Sequence, residues 1–216
     1  MSKKAKSTID WRGYTGDTVV LPICTRSPAV RGGNFKATLQ ALSEQVERIH
    51  LVLCDTLDRH NTGDETYSRD HGTQWLADNL PQIQSHFECA SITRWDDVRN
   101  TRGFAERLTQ LHDQYASNDT TKEIIHRTAG YYLNAKAERQ KSIGQPFDRA
   151  AALKVSVDYL IEEYAGTAKY GADLNFTPEA YWGVYIKDEN IFGTPSLKQL
   201  KTLPITINRL PAPIGA

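Results

Sequence analysis

Cys24 closes the apolar run "DTVVLPIC" and is followed at once by "TRSPAVRGGN", a loop carrying Arg26, Ser27, Arg31 and paired glycines. A thiol at that junction is either a core residue that happens to end a strand or a nucleophile held at the mouth of a pocket. Ionisation separates the two, because the thiolate is the reactive form, and Arg26 or exposed backbone N–H groups would favour it. Ser27 is close enough to be a rival nucleophile. Cys54 and Cys89 read as core fillers, the usual place of a free cysteine in an apolar strand.

A second constellation lies in "FDRAAALKVSVDYLIEEYAG" (147–166). Leu153, Val157, Leu160, Ile161 and Tyr164 form an apolar stripe at helical spacing, and beside it runs a line of Ala152, Ser156, Tyr159 and Glu163. Tyr159 and Glu163 are one turn apart and point the same way. A carboxylate there can bind an ammonium group and a phenol can relay a proton; a surface Glu beside a half-buried Tyr fits the same pattern. In "AYWGVYIKDEN", a strand would put Tyr181, Gly183, Tyr185 and Lys187 on one face, with Asp188 three residues past Tyr185. Tyrosines on a sheet face usually pack. His60, in "DTLDRHN", either faces the same pocket or sits in a turn. There is no G-x-G-x-x-G, no Walker loop and no His or Cys pair at zinc spacing, so no metal site is expected.

The elements that must position these groups follow from periodicity. Residues 17–24 and 49–55 are β-branched, near-continuous apolar runs, and 87–93 is a third strand. Between the first two, Asn34 caps a segment in which Phe35, Leu39, Leu42 and Val46 recur at helical spacing. That βαβ unit makes the two strands parallel neighbours. A helix runs through "TYSRDHGTQWLADNL". A helical layer covers 98–166, broken near Ser117-Asn118 and Gly144-Gln145-Pro146, and 180–187 and 203–210 are late strands. One α/β domain over 1–216 is expected, with 1–16 as a flexible N-terminus. Ligands of such sheets bind outside the carboxyl ends of the strands, where Cys24 and Asp55 both fall.

Composition narrows the class. With 216 residues, 39% hydrophobic, the chain can bury a sizeable core, and no run approaches the roughly 20 apolar residues of a membrane span. An odd number of cysteines and a start, "MSKKAKSTID", without an apolar signal core point to a reducing, cytoplasmic setting. Net charge is zero, so a polyanion would need a local basic patch. Residues 122–149 offer six cations (Lys122, Arg127, Lys136, Arg139, Lys141, Arg149) against three acids, a modest excess that also suits a solvated helix face.

Taken in order, these pieces resemble the cyclodipeptide synthases, a family with a Rossmann-like domain akin to the catalytic domain of class I tyrosyl- and tryptophanyl-tRNA synthetases. The family nucleophile ends the first strand, where "PIC" puts Cys24. The second-strand acid and following segment match Asp55 and "DTLDRHN". The family's helical Tyr with Glu four residues on matches Tyr159 and Glu163, and its late-strand tyrosine with an aspartate three residues later matches Tyr185 and Asp188. The resemblance runs along nearly the whole chain and implies an aminoacyltransferase of secondary metabolism. Such an enzyme joins amino acids from two aminoacyl-tRNAs into a cyclic dipeptide, a 2,5-diketopiperazine. Cys24, Tyr159, Glu163 and Tyr185 would be catalytic, Asp55, Asp188, Ser27, Asn34 and His60 substrate-binding, and the loop after Cys24 a lid and rim of the pocket. Because the tRNA ester is already activated, no cofactor, ATP or metal is implied, and a monomer without membrane or obligate protein partner is expected.

Three departures set this chain apart. Cys stands where most members have Ser, which makes the acyl intermediate a thioester. The glutamate motif continues as "EEYAG" rather than into a proline. The region after the second strand, basic in bacterial relatives, is acidic here, so tRNA would rest on Lys136, Arg139 and Lys141. These departures look more like the fungal branch that uses arginine as one substrate, for which Asp55, Asp158 or Glu162 would suit a guanidinium. Two rivals use parts of the same sequence: a cysteine hydrolase or acyltransferase on small amides or thioesters, and a non-enzymatic RNA-binding module.

Overall fold

The computed structural model describes residues 5–175, 177–182 and 202–208. Its strands are β1 (Lys6–Ile9), β2 (Thr18–Ile23), β3 (Arg48–Leu53), β4 (Cys89–Arg94), β5 (Glu179–Trp182) and β6 (Thr202–Asn208). They form one sheet in the order β1-β6-β5-β2-β3-β4, parallel throughout except for β1 against β6. Val19, Val20, Leu21 and Ile23 of β2 are all buried, as a central parallel strand covered on both faces requires. The helices are α1 (Gly32–Ser43), α2 (Arg59–Thr62), α3 (Glu65–Gln84), α4 (Trp95–Arg99), α5 (Phe104–Ser117), α6 (Asp119–Ser142) and α7 (Arg149–Asp173).

Two apolar clusters separate the layers. On one face Phe35, Leu39 and Leu42 of α1 and Trp75 and Ile83 of α3 pack on Val19, Leu21, Ile23, Ile49, Leu51 and Leu53. On the other, Val20, Val52 and Cys54 meet Trp95, Phe104, Leu111, Ile125, Val157, Ile161 and Tyr164 of the later helices. The alternation along β2 and β3 sends successive side chains to opposite faces, which is why both strands read as continuous apolar runs.

The order of strands reverses at β2. The chain steps outward from β2 through β3 to β4, then returns through α7 to place β5 on the other side of β2. Pro22 shapes that junction. The Val20 N–H bonds toward the β5 side, at Pro178 O (2.9 Å), and two residues later Pro22 faces the same side without an N–H to give. Val20↔Glu179 is accordingly the one register pair between β2 and β5 among the described residues, against six between β2 and β3.

Several expectations need correction. The N-terminal segment is not flexible throughout, since Lys6–Ile9 pairs with β6 as an edge strand and Ser7 Oγ lies 3.1 Å from Thr38 Oγ1. Asn34 does not cap α1: the N-cap is Arg31, and the Asn34 amide instead donates to Pro28 O at 3.2 Å. The helical layer breaks where expected, with Asn118 capping α6 through Thr121 N, but α7 runs on to Asp173. Cys89 is exposed rather than a core filler. The late strands fall at Glu179–Trp182 and Thr202–Asn208, and the rest of both expected spans lies outside the described residues. Among the described residues no helix is long and apolar enough to cross a membrane.

Candidate functional site

Cys24 follows β2 directly, at the carboxyl ends of the parallel strands and beside the point where strand order reverses, the position at which open α/β sheets bind ligands. Its sulfur lies 3.4 Å from the Tyr159 hydroxyl on α7 and beside Cys54, which follows β3 one strand over. Cys54 is 3% exposed, whereas Cys24 is only partly buried.

These contacts set the ionisation of the two thiols in opposite directions. A hydrogen bond from Cys54 lowers the pKa of Cys24, and the Tyr159 hydroxyl adds to this, so that together they outweigh the burial that opposes ionisation. The same hydrogen bond, with burial, pushes Cys54 well above the ordinary thiol range. Burial, then the charges of Cys24 and Glu163, push the Tyr159 phenol well up. It stays protonated and donates to the Cys24 sulfur. The thiolate is therefore favoured by two hydrogen-bond donors rather than by Arg26, whose guanidinium turns to Asp58 at 3.5 Å.

Glu163 lies one turn beyond Tyr159. Burial, and then the negative charges of Cys24 and Glu179, raise its carboxyl pKa well above the usual range. Tyr181 on β5 is raised by burial and by the same neighbours, Glu163 first among them. Glu179, in register with Val20, is buried and accepts a hydrogen bond from Tyr170 at 2.6 Å. Tyr159 thus contacts the thiol, and Glu163, Glu179 and Tyr181 lie within electrostatic reach of it, a wall rich in carboxyl and phenol groups. Such a wall can accept a cationic amine and move its proton.

A polar network holds α7 in place. Glu162, next to Glu163 in sequence but turned the other way, accepts from Trp95 Nε1 (2.8 Å), Arg59 (2.9 and 2.5 Å) and His60 Nε2 (2.8 Å). Burial raises its pKa, but the hydrogen bonds of His60, Arg59 and Trp95 outweigh it and hold the carboxyl at about 2. Gly166 completes the seat, because a Cβ there would stand 2.2 Å from the Trp95 ring. His60 also sets its ring edge toward Tyr159, with centroids 6.4 Å apart.

The remaining expected site residues sort differently. Asp55 is 0% exposed; it takes Arg94 in a close ion pair, and α3 passes so near that a Cβ on Gly72 would sit 2.3 Å from it. It braces the strand ends and does not face the pocket. Asp55 and Glu162 both pair with the chain's own arginines. His60 meets Glu162 and the Tyr159 ring. Ser27 caps the short turn Pro28–Val30 by accepting from Ala29 N at 3.3 Å. The loop after Cys24 is a fixed rim rather than a lid: Trp75 Nε1 donates to Val30 O (3.0 Å) and Thr25 Oγ1 lies 3.0 Å from His71 Nδ1. Lys136, Arg139 and Lys141 lie in the last turns of α6, with Lys136 over the exposed Tyr132 ring. Tyr185 and Asp188 lie outside the described residues. No cluster of metal-ligating side chains occurs among the described residues.

Sequence reasoning misses three members of this site. Cys54 reads as filler, although both cysteines end neighbouring parallel strands and so share a register position. Tyr181 reads as a packing residue. Glu179 belongs to no motif, and its one signal is a lone acid opening an otherwise apolar strand, "EAYW".

The chain matches no protein-family model and no curated protein sequence. Its fold is nevertheless shared with solved cyclodipeptide synthases. That of Fluoribacter dumoffii aligns with a TM-score of 0.79 at 17% identity, over 94% of this chain and 98% of the other. The enzyme of Candidatus Glomeribacter gigasporarum, solved bound to Phe-tRNAPhe, aligns at 0.62 and 18% identity, over 92% and 91%. A Mycobacterium tuberculosis structure, described as demonstrating that these synthetases are related to type I tRNA synthetases, aligns at 0.58 and 10%, over 89% and 85%. The Rossmann-like architecture expected from the sequence is the one the chain has.

Proposed function

We propose that this chain is a cyclodipeptide synthase that takes two aminoacyl groups from tRNA through a thioester on Cys24. The observation that carries the reading is the Cys24–Tyr159–Glu163 constellation at the strand-order reversal of this fold. Cys24 attacks the ester carbonyl of a first aminoacyl-tRNA. The new S–C bond forms as the ester C–O bond breaks, and the tRNA leaves as a free hydroxyl after taking up a proton. Glu163 and Tyr159 bind the α-ammonium group. A carboxyl whose pKa is raised by burial and like charge is matched to removing the proton that must leave before that nitrogen becomes a nucleophile.

The freed amine attacks the ester carbonyl of a second aminoacyl-tRNA, and the amide C–N bond forms as the ester C–O bond breaks. The second tRNA leaves as a free hydroxyl with the proton the amine gives up, and a dipeptidyl thioester remains on Cys24. The terminal amine of that dipeptide then closes on the thioester carbonyl, breaks the S–C bond and releases the diketopiperazine. The relay expected of Tyr185 passes in this reading to Tyr181, whose phenol lies within electrostatic reach of Glu163 and Cys24. Arginine as one substrate is supported by Glu179, a buried carboxyl group, and Glu163, a partly buried one near the thiol, which suit a cationic side chain. The tRNA would lie along Lys136, Arg139 and Lys141. Arg149 at the start of α7 bonds Asn134 on α6 at 2.9 Å. Tyr159 is ten residues further along α7, about 15 Å by helical rise, and Lys136, Arg139 and Lys141 lie two to seven residues beyond Asn134 on α6, so they stand roughly 18–26 Å from the site.

The test is mass-spectrometric detection of cyclic dipeptides from a pool of charged tRNAs, with and without prior ribonuclease digestion. Product that needs intact tRNA supports the proposal. Thioester or amide turnover that survives digestion would identify a cysteine hydrolase or acyltransferase instead. Salt-sensitive RNA binding without turnover, unchanged in Cys24→Ala, would identify an RNA-binding module.

A further inference from the structure

Cys24 and Cys54 occupy equivalent positions at the ends of adjacent parallel strands. The register pairs Ile23 with Leu53, and the Cys54 N–H bonds to Ile23 O at 2.9 Å, so the next two residues stand side by side. Both belong to the apolar cluster on one face of the sheet. Neighbouring strands run about 4.8 Å apart, within the roughly 4.4–6.8 Å between Cα atoms that a disulfide spans. The two thiols differ in access, since Cys24 is partly exposed and Cys54 is sealed behind it.

We infer that Cys24 and Cys54 form an oxidative modification site, in which a peroxide that oxidises Cys24 is resolved by Cys54 into a reversible intramolecular disulfide. The chemistry needs only hydrogen peroxide as co-reactant. The Cys24 thiolate attacks one peroxide oxygen, the O–O bond breaks, and hydroxide leaves as Cys24 becomes a sulfenic acid. The Cys54 sulfur then attacks the Cys24 sulfur, forming the S–S bond and breaking S–O. The proton of Cys54 goes to the departing hydroxide, which leaves as water. The two sulfurs together lose two electrons, and the peroxide is reduced to two waters once the first hydroxide takes up the proton that Cys24 released to solvent on ionising.

Ionisation supports the assigned roles. Cys24 is held low by the Cys54 and Tyr159 hydrogen bonds, which suits the attacking thiol, and burial keeps the Cys54 proton in place until a leaving oxygen needs it. Cys54 has two acceptors for that proton, Val52 O at 3.6 Å and the Cys24 sulfur. The disulfide also protects Cys24 from further, irreversible oxidation. Where Cys24 carries the acyl group, as proposed above, the bridge switches the enzyme off until a dithiol reduces it; the bridge itself does not depend on that reading.

The experiment treats the reduced full chain with a small excess of hydrogen peroxide, quenches with a thiol-alkylating reagent and records intact mass and a non-reducing peptide map. Of the three free cysteines, only Cys89 should be alkylated. The map should contain a Cys24–Cys54 cross-link that dithiothreitol removes. Cys54→Ser and Cys54→Ala should instead carry added oxygen on Cys24 that dithiothreitol does not remove after longer exposure. Cys89→Ala, altered only at an exposed thiol, should form the bridge as fully as the parent chain. Oxygen addition at Cys24 of the parent chain without a cross-link would overturn the inference, as would a cross-link that requires Cys89.

Discussion

The Tyr159 hydroxyl meets the Cys24 sulfur at 3.4 Å, across 135 residues of chain. Because the phenol keeps its proton while the thiol loses one readily, this contact assigns direction: Tyr159 donates and Cys24 accepts. Tyr159→Phe should therefore raise the pKa of Cys24. A hydrogen bond to a charged group contributes about 1.5–3 kcal/mol, so acylation near neutral pH should slow by roughly ten- to a hundredfold. The rate of thiol alkylation against pH reads the shift directly, and its midpoint should move upward. An unmoved midpoint would mean that the phenol does not support the thiolate.

Glu163→Gln separates stability from activity. A carboxyl held above its ordinary pKa keeps its proton in the native state, while the unfolded chain releases it. Native stability therefore falls as pH rises above 4.5 toward the folded value. Removing that penalty should leave the variant as stable as the parent at pH 5 and more stable at pH 8, by roughly 1.4 kcal/mol for each unit of the original shift. Product should fall at least about a hundredfold. Melting curves at the two pH values check the first claim, and a variant destabilised equally at both would contradict it.

Glu162 has the opposite sign. Its carboxyl is held at about 2 against an ordinary 4.5, so its contribution is full above 4.5 and is lost as pH falls toward 2. That window corresponds to about 3 kcal/mol. Glu162→Gln should lose a similar amount at neutral pH, since the mostly buried Arg59 would lose the nearer of its two carboxylate partners and keep only Glu65 at 3.5 Å. It should also flatten the acid limb of stability. Denaturant titrations at pH 7 and pH 3 measure both effects, and equal losses at the two would contradict the assignment.

Gly166→Ala asks whether Trp95 fixes α7. The added methyl would meet the Trp95 ring at 2.2 Å, an overpacking that costs about 1–3 kcal/mol. Because Trp95 also holds Glu162, the displacement should reach Tyr159 and Glu163 and lower product formation beyond the loss of folded protein. Activity per folded molecule, with the folded fraction taken from the melting curve, distinguishes this from simple destabilisation.

Lys136→Glu with Arg139→Glu addresses the tRNA face. Affinity for tRNA should drop, and the slope of log affinity against log salt should become shallower by about one for each phosphate no longer neutralised. The alkylation pH profile of Cys24 should not change. A parent-like salt slope would move the tRNA surface elsewhere.

Much of this is legible because the signals are local. A run such as "DTVVLPIC", short, β-branched and followed by turn residues, reads as a strand covered on both faces, and Tyr159 and Glu163 share a helix face by spacing alone. What stays hidden depends on contacts between distant segments. Asp55 sits at a strand end like Cys24, yet nothing in its neighbours reveals that Arg94 and the close passage of Gly72 turn it inward. Asn34 has a capping side chain, but Arg31 already occupies the N-cap position ahead of two glycines. The edge strand Lys6–Ile9 exists only because β6, at the far end of the chain, offers it a partner. Cys54 is the one missed residue whose role sequence could have suggested, from two cysteines ending two adjacent strands in register.

The central claim is acyl transfer to Cys24, and intact-mass measurement after brief exposure to a mixed aminoacyl-tRNA pool tests it most directly, with Cys24→Ala alongside. An adduct of one amino-acid residue on the parent chain, absent from the variant and released by hydroxylamine as a thioester is, is the expected result. An adduct that persists in Cys24→Ala, or cyclic dipeptide made by that variant, would contradict the claim and transfer the role to another nucleophile, Ser27 first.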